Sequence, residues 1–197
     1  MKVKNFDVFI ILNLVLFIFM CIFVYYDRFI TYKGSENILE FYVYALFCIL
    51  VILIIWIYFR KYEISLFALC LIELGILSHF AGGLMNINGK RLYDNVFFHI
   101  RYDKYVHFIN SFIACMITRN VLFRFGFSIK RLEGFILIMI VLGMGAFIEI
   151  IEYLVVTTIP KAGVGGYDNN MQDLIANFLG GISYLTFRYF KKDKTNK

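Results

Sequence analysis

The chain has 197 residues, of which 61% are hydrophobic and 17% charged, with a formal net charge of +6 and a mean hydropathy of +0.75. Soluble domains are about 45–50% apolar and about 25% charged, so this composition is typical of a membrane protein. It excludes a disordered chain, and four cysteines are too few for a disulfide-framed secreted domain. The basic residues are scattered between long apolar runs, which argues against nucleic-acid binding.

Six apolar stretches are long enough, at about 20 residues, to cross about 30 Å of hydrocarbon. In chain order they cover about residues 8–26, 41–59, 64–83, 105–123, 134–157 and 172–189. Backbone polar groups in lipid must be satisfied within each segment, and runs such as Ile49–Ile55 do not alternate as barrel strands do. We therefore predict an all-α polytopic membrane protein, in which residues 1–197 form a single integral membrane domain of six transmembrane helices.

The segment between the third and fourth spans has its own apolar pattern. Apolar side chains recur there at helical spacing, at Leu92, Tyr93, Val96, Phe97 and Ile100. This spacing predicts a short amphipathic interfacial helix within Leu84–Ile100. The later loop over residues 163–170 is rich in turn-forming residues and is expected to form a rim near it.

The distribution of Lys and Arg predicts the orientation. With both termini in the cytoplasm, 13 of these residues lie inside and 7 outside, so we predict a bacterial cytoplasmic membrane protein with that topology. Four of the outside cations flank or fall in the third loop, at Lys90, Arg91, Arg101 and Lys104. Two explanations are open: they attract an anionic headgroup or phosphate to a site, or they extend to the lipid headgroups.

Ionisable residues inside spans are costly, so each is a functional hypothesis. In the last four spans they form stripes at i, i+4 and i+7, which share a helix face. The stripes are Asp103, His107 and Asn110, then Gly145, Glu149 and Glu152, then Asp173, Asn177 and Gly180, with His79 near the end of span three. Because successive spans alternate in direction, all four helices bring these residues to one half of the membrane, the outer half in the predicted orientation.

This convergence predicts a site whose chemistry is carried by Asp103, His107, Glu149, Glu152, Asp173 and Asn177. Imidazole and carboxylate ligands suit Zn, Mn, Mg or Fe, so the candidate metal ligands are His79, His107, Glu149 and Asp173. A metal-activated water would then hydrolyse a phosphate or acyl ester, with Glu152 as the base. Without a metal, Glu149 and Glu152 would share a proton as an acid–base pair.

The same residues carry a resemblance to known families. In order they read His79-x-x-Gly82-Gly83, Arg101-Tyr102-Asp103-Lys104-x-x-His107-Phe108, Glu149-x-x-Glu152, Asp168 and Asp173-x-x-x-Asn177-x-x-Gly180. Over residues 64–190 this set resembles the YjdF-like bacterial membrane proteins and, more distantly, the VanZ-like family. The Glu-x-x-Glu element follows the YjdF-like pattern, whereas Arg119-Asn120 departs from its frequent Arg-Glu. The resemblance implies a six-helix inner-membrane protein linked to the cell envelope, and it supplies no reaction.

Three functions are open. The first is a metal-dependent hydrolase or transferase acting on a lipid-linked or phosphate-bearing envelope substrate. The second is a proton-coupled transporter or flippase, against which stand the off-centre site and the lack of an internal repeat. The third is a non-catalytic envelope-stress or antibiotic-tolerance protein whose polar cluster is structural. The convergence of so many polar groups favours the first, because partly buried charge is expensive to keep for packing alone.

Overall fold

The structure is a computed structural model that describes residues 3–127, 132–158 and 166–195. It is mostly helical, and its helices are α1 (Asn5–Met20), α2 (Tyr26–Lys33), α3 (Ile38–Phe59), α4 (Leu66–Leu84), α5 (Tyr102–Arg124), α6 (Glu133–Thr158) and α7 (Tyr167–Thr195). A single π-helical stretch, Cys21–Tyr25, joins α1 to α2, and a 3-10 turn, Ser35–Asn37, precedes α3. The chain divides into two compact units: Met1–Leu69 with Val155–Gly163, and Cys70–Leu154 with Val164–Lys197.

Within the described residues, five helical stretches are long and apolar enough to cross a membrane. They are Asn5–Thr31, Ser35–Phe59, Leu66–Leu84, Tyr102–Arg124 and Glu133–Leu154, which correspond to the first five predicted spans. The predicted sixth span falls in α7, which is helical but is not among the five, since its first turns hold Asp168, Asn169 and Asp173.

The first unit is fastened by a buried carboxylate. The Asp7 side chain accepts hydrogen bonds from Arg60 Nε at 2.7 Å and from Trp56 Nε1 at 2.8 Å. Lys4 closes the arrangement by donating its Nζ to the Arg60 carbonyl oxygen at 2.8 Å. Next to the Asp7–Arg60 ion pair, Phe6, Ile10 and Leu69 form a small apolar core. A buried acid therefore ties the start of α1 to the end of α3.

The segment between α4 and α5 is not the predicted interfacial helix. It folds as two antiparallel hairpins around a 3-10 turn at Leu92–Asp94: β1 (Asn86–Ile87) with β2 (Lys90–Arg91), and β3 (Val96–Phe97) with β4 (Ile100–Arg101). Each hairpin has a two-residue turn with both φ angles positive, at Asn88-Gly89 and at Phe98-His99. Asn-Gly is the preferred dipeptide for such a turn and accounts for the first hairpin. The apolar residues of the helical pattern lie in the 3-10 turn and the second hairpin, whose Phe98-His99 turn carries no such signal.

Helices α5 and α7 run parallel and in register along most of their length. Lys104 contacts Asp173 at 2.7 Å near their N-terminal ends, and Ser111 Oγ donates to Asn177 Oδ1 at 2.7 Å further along. Near their C-terminal ends Arg119 and Arg188 both contact Glu133 at 2.8 Å. Residue 120 is asparagine where the resembling pattern often has glutamate, so it gives Arg119 no acidic neighbour in sequence. Glu133 on α6 is the acid that pairs with Arg119.

Glycine allows the close approach of α5 and α7. A Cβ at Gly180 would overlap the Phe108 carbonyl oxygen, so only glycine fits this crossing. Gly145 on α6 similarly faces the Asn177 amide, whereas a Cβ at Gly143 would meet open space. Helices α5, α6 and α7 share an apolar core on the C-terminal side of the α5–α7 crossing. It consists of Cys115, Leu137, Val141 and Tyr184. Helices α5 and α7 are therefore packed closely beside the polar residues, and α6 joins them through this shared side-chain core.

Candidate metal centre

The predicted polar residues of α5 and α7 meet around a buried ammonium group. Lys104 Nζ lies 2.7 Å from Asp173 Oδ1 and 3.2 Å from Asp103 Oδ2, and the side chain is only 8% exposed. It also donates to the Asn169 carbonyl oxygen at 3.1 Å and to Asn169 Oδ1 at 3.0 Å. Asn169 Nδ2 in turn donates to Asp173 Oδ2 at 2.7 Å. This part of the cluster is a hydrogen-bonded ion pair in which Asp173 is held from two sides.

A second part of the cluster is unsatisfied. Glu149 on α6 is only 6% exposed, yet neither carboxylate oxygen has a hydrogen-bond partner within the described part of the chain. One ligand atom each from His107, Glu149 and Asp173 lie within 4.8 Å of one another. His107 Nε2 itself lies 3.3 Å from Asp173 Oδ1. A buried carboxylate is costly unless it is paired or coordinated, so this geometry matches a cation site.

The charges at this end of the second unit are consistent with such a site. The carboxylates are Asp94, Asp103, Glu149, Glu152 and Asp173, and the paired cations are Arg91, Arg101 and Lys104. Five carboxylates against three cations leave two negative charges when both glutamates are ionised, and the exposed Asp168 and Lys90 at the same end add one charge of each sign. A divalent cation would balance them.

His79 lies beside His107, and its hydrogen-bond partner is the Tyr93 hydroxyl. Its Nδ1 is 2.6 Å from the Tyr93 hydroxyl, and its ring centroid is 6.1 Å from that of His107. The Tyr93 ring occupies the space where a Cβ on Gly82 would lie, which explains the glycine three residues after His79. Burial of the ring, followed by the negative charge of Glu152, raises the pKa of the Tyr93 hydroxyl well above its usual value.

The remaining predicted residues lie at the edge of the cluster. Asp103 is buried, with Oδ2 on Lys104 and Arg101 and Oδ1 without a partner in the described structure. Asn177 is buried, accepts from Ser111 Oγ and is also hydrogen-bonded to the His107 side chain, so it lies next to the candidate ligands. Glu152 is half-buried one turn along α6 from Glu149, and its charge acts on Tyr93. Asp168 is exposed on the first turn of α7.

Three of the four outside cations have partners within the protein. Arg91 Nε contacts Asp94 at 2.9 Å, Arg101 Nη2 contacts Asp94 at 3.2 Å, and Lys104 contacts Asp173. Their first role is therefore to neutralise acids of the chain, which neither sequence explanation of these cations included.

Three participating residues were missed from the sequence. Lys104 was placed among the outside cations with two open explanations, and neither of them put it in a buried ion pair. Tyr93 was treated as part of an apolar face, and the glycine pair on α4 was the signal for an approaching ring. Asn169 lies in a turn-rich segment, where no pattern distinguished it from its neighbours.

Comparison with known proteins identifies the family. A family model described as a predicted membrane protein, DUF2238, matches residues 8–194, and the chain therefore belongs to that family. This confirms the YjdF-like resemblance, because the YjdF-like proteins are this family. No curated protein and no solved structure matches the chain significantly.

Proposed function

We propose that this DUF2238 membrane protein binds a divalent metal ion through His107, Glu149 and Asp173, and uses it for hydrolysis or group transfer on a lipid-borne substrate of the cell envelope. The observation that carries the proposal is Glu149, a buried carboxylate whose two oxygens have no hydrogen-bond partner among the described residues and which lies beside an imidazole and a second carboxylate. Three protein ligands with a remaining open position are typical of catalytic metal sites.

The donor set favours particular ions. One imidazole nitrogen and two carboxylate oxygens suit Zn²⁺, Mn²⁺ or Fe²⁺ better than Mg²⁺, which prefers an all-oxygen shell. Asp173 would be oriented by Lys104 and Asn169, as outer groups commonly orient metal ligands. A bound ion of this kind supplies a water of lowered pKa or polarises a phosphoryl or carbonyl oxygen.

The chain's own groups would handle the proton and the substrate. Glu152, one turn from Glu149, is the proposed base that accepts a proton from the attacking water. His79 and Tyr93 form a pair at the exposed side of the cluster, where a substrate would enter. In this proposal His79 orients or contacts the substrate. Of the four metal ligands predicted from the sequence, only His107, Glu149 and Asp173 bind the metal.

A purely structural cluster explains only part of the geometry. The Lys104, Asp173 and Asn169 contacts are satisfied and would stabilise packing without any ligand. The Glu149 carboxylate gains nothing from those contacts, because no described donor reaches it. A structural role alone would favour glutamine or leucine at this position, since a buried unpaired carboxylate is destabilising.

We also propose that α7 is the sixth span. It accompanies α5, one of the five membrane-crossing candidates, from the Lys104–Asp173 contact to the Arg119 and Arg188 contacts with Glu133. Fifteen residues separate these levels on each helix, which corresponds to about 22 Å along the axis. The polar face of α7 is turned to its neighbours, so its lower hydropathy is compatible with a buried position in a bundle.

The location and the substrate class complete the proposal. The proposed location is the inner membrane of a bacterium, with both termini in the cytoplasm and the site near the outer face; the excess of Lys and Arg on one side supports this orientation. A site at that level meets lipid headgroups and lipid-linked envelope precursors.

Turnover in vesicles tests this function. The full chain would be reconstituted with phosphatidylglycerol and a polyprenyl diphosphate, without any ion gradient, and release of phosphate or headgroup would be followed with added Zn²⁺ or Mn²⁺. We expect metal-dependent release that Glu152→Gln abolishes while the variant keeps its metal. Metal binding without turnover of either lipid class would contradict the assigned substrates. Activity that appears only with a proton gradient would favour a transporter.

A further inference from the structure

The hairpin β3–β4 presents an apolar tip that nothing in the described second unit covers. Phe98 is 91% exposed, and Val96, Phe97 and Ile100 are also exposed. We infer that this tip inserts into the bilayer beside the start of α5 and anchors the segment that supplies Tyr93 and Arg101 to the polar cluster. The inference concerns membrane contact and stands apart from the metal proposal.

The backbone of the tip is the first support. Phe98 and His99 both have positive φ, at 49° and 66°, a conformation that L-residues with bulky side chains rarely adopt. The neighbouring hairpin makes the same kind of turn with Asn88-Gly89, which accepts it readily. The same loop therefore contains both a relaxed and a strained version of one turn. Keeping Phe at the strained position is reasonable if its exposed ring makes a contact outside the chain.

The attachment of the hairpin is the second support. The Tyr105 hydroxyl, one turn into α5, donates to the Phe97 carbonyl oxygen at 2.8 Å. The Tyr102 amide donates to the Asn95 carbonyl oxygen at 2.9 Å, and the rings of Phe97 and Tyr102 are 6.4 Å apart. The hairpin is thus held beside the first turn of a membrane-crossing candidate helix. Aromatic residues at that level are characteristic of the membrane interface.

The size of the tip favours lipid over a protein partner. Of its four apolar side chains only Phe98 is nearly fully exposed, and Phe97 and Ile100 are 41% and 46% exposed, so the tip offers about 400–500 Å² on this side. A standard protein interface buries about 800 Å² on each partner. Insertion of a few apolar side chains about 5–10 Å into the headgroup and acyl boundary needs no such area.

Tryptophan fluorescence tests the inference. The chain already contains one tryptophan, Trp56, so the emission of the parent protein is subtracted from that of each variant. Phe98→Trp in the full chain would be placed in vesicles of phosphatidylcholine brominated near the carbonyl end of its acyl chains. We expect roughly twofold quenching by the brominated lipid, as for a ring at the boundary, and little quenching by aqueous iodide. The control is Lys90→Trp on the other hairpin, which is expected to show the reverse.

Each other result would overturn the inference. Quenching by iodide alone would place the tip in water, and quenching by neither agent would place it against protein. Equal lipid quenching of both variants would mean that the contact is not specific to the β3–β4 tip. If Phe98→Trp does not fold, Val96→Trp provides the same measurement from an extended residue of the same hairpin, where the backbone is not strained.

Discussion

Replacing Lys104 by methionine should destabilise the protein strongly. The ammonium group is buried and lies 2.7 Å from Asp173 Oδ1 and 3.2 Å from Asp103 Oδ2, and Asp173 is only 2% exposed. Removing one partner of a buried ion pair leaves an uncompensated charge and costs about 3–5 kcal/mol. At about 1.4 kcal/mol per factor of ten, the ratio of folded to unfolded protein should fall by between about a hundredfold and several thousandfold.

The assay is reversible denaturant unfolding of the full chain in mild detergent. Lys90→Met, an exposed lysine of the same loop, is the matched control and should change stability by no more than about 0.5 kcal/mol. Adding Asp173→Asn to Lys104→Met should restore part of the lost stability, because the stranded buried charge is then removed. A loss below about 1 kcal/mol for Lys104→Met, or a double variant no better than the single one, would refute the reasoning.

Two further predictions concern the packing and the pH dependence. Gly180→Ala should lower the free energy of unfolding by about 1–3 kcal/mol, because the added Cβ meets the Phe108 carbonyl oxygen. The control is Gly143→Ala, whose Cβ meets open space and which should stabilise the helix by about 0.5–1 kcal/mol. Equal effects of the two variants in denaturant unfolding would contradict the close crossing of α5 and α7. The raised pKa of Tyr93 means that its contribution to stability is present below about pH 10, where unfolded tyrosine starts to ionise, and is lost as the pH rises towards the folded pKa. Tyr93→Phe should therefore flatten the fall in stability between about pH 9 and about pH 11, and an unchanged slope would argue against the shift.

Much of the architecture follows from the sequence because hydropathy and helical periodicity are local properties. The first five apolar stretches are helices in the structure, and the i, i+4, i+7 spacing brings Asp103 and His107 onto the face that meets Asp173. The alternation of span direction was enough to predict that residues from separate helices converge. Their mutual distances were not predictable, because they depend on how α5 and α7 pack in parallel.

The errors have specific physical causes. The interfacial helix was predicted from apolar spacing alone. Asn88-Gly89 is a strong signal for the first hairpin, but the second hairpin, which holds Val96, Phe97 and Ile100, closes at Phe98-His99 and has no turn signal in the sequence. The burial of Lys104 was missed because a lysine near a span end usually extends to the surface, and only the partner on α7 keeps it inside.

The central claim is that Glu149 is a metal ligand. The most direct test is metal content by mass spectrometry of the full chain, purified in mild detergent without chelators, alongside Glu149→Gln and Glu152→Gln. The account predicts about one divalent ion per chain in the parent and in Glu152→Gln, and loss of that ion in folded Glu149→Gln. No bound metal in the parent after incubation with Zn²⁺, Mn²⁺ or Fe²⁺, or full metal content in Glu149→Gln, would contradict it.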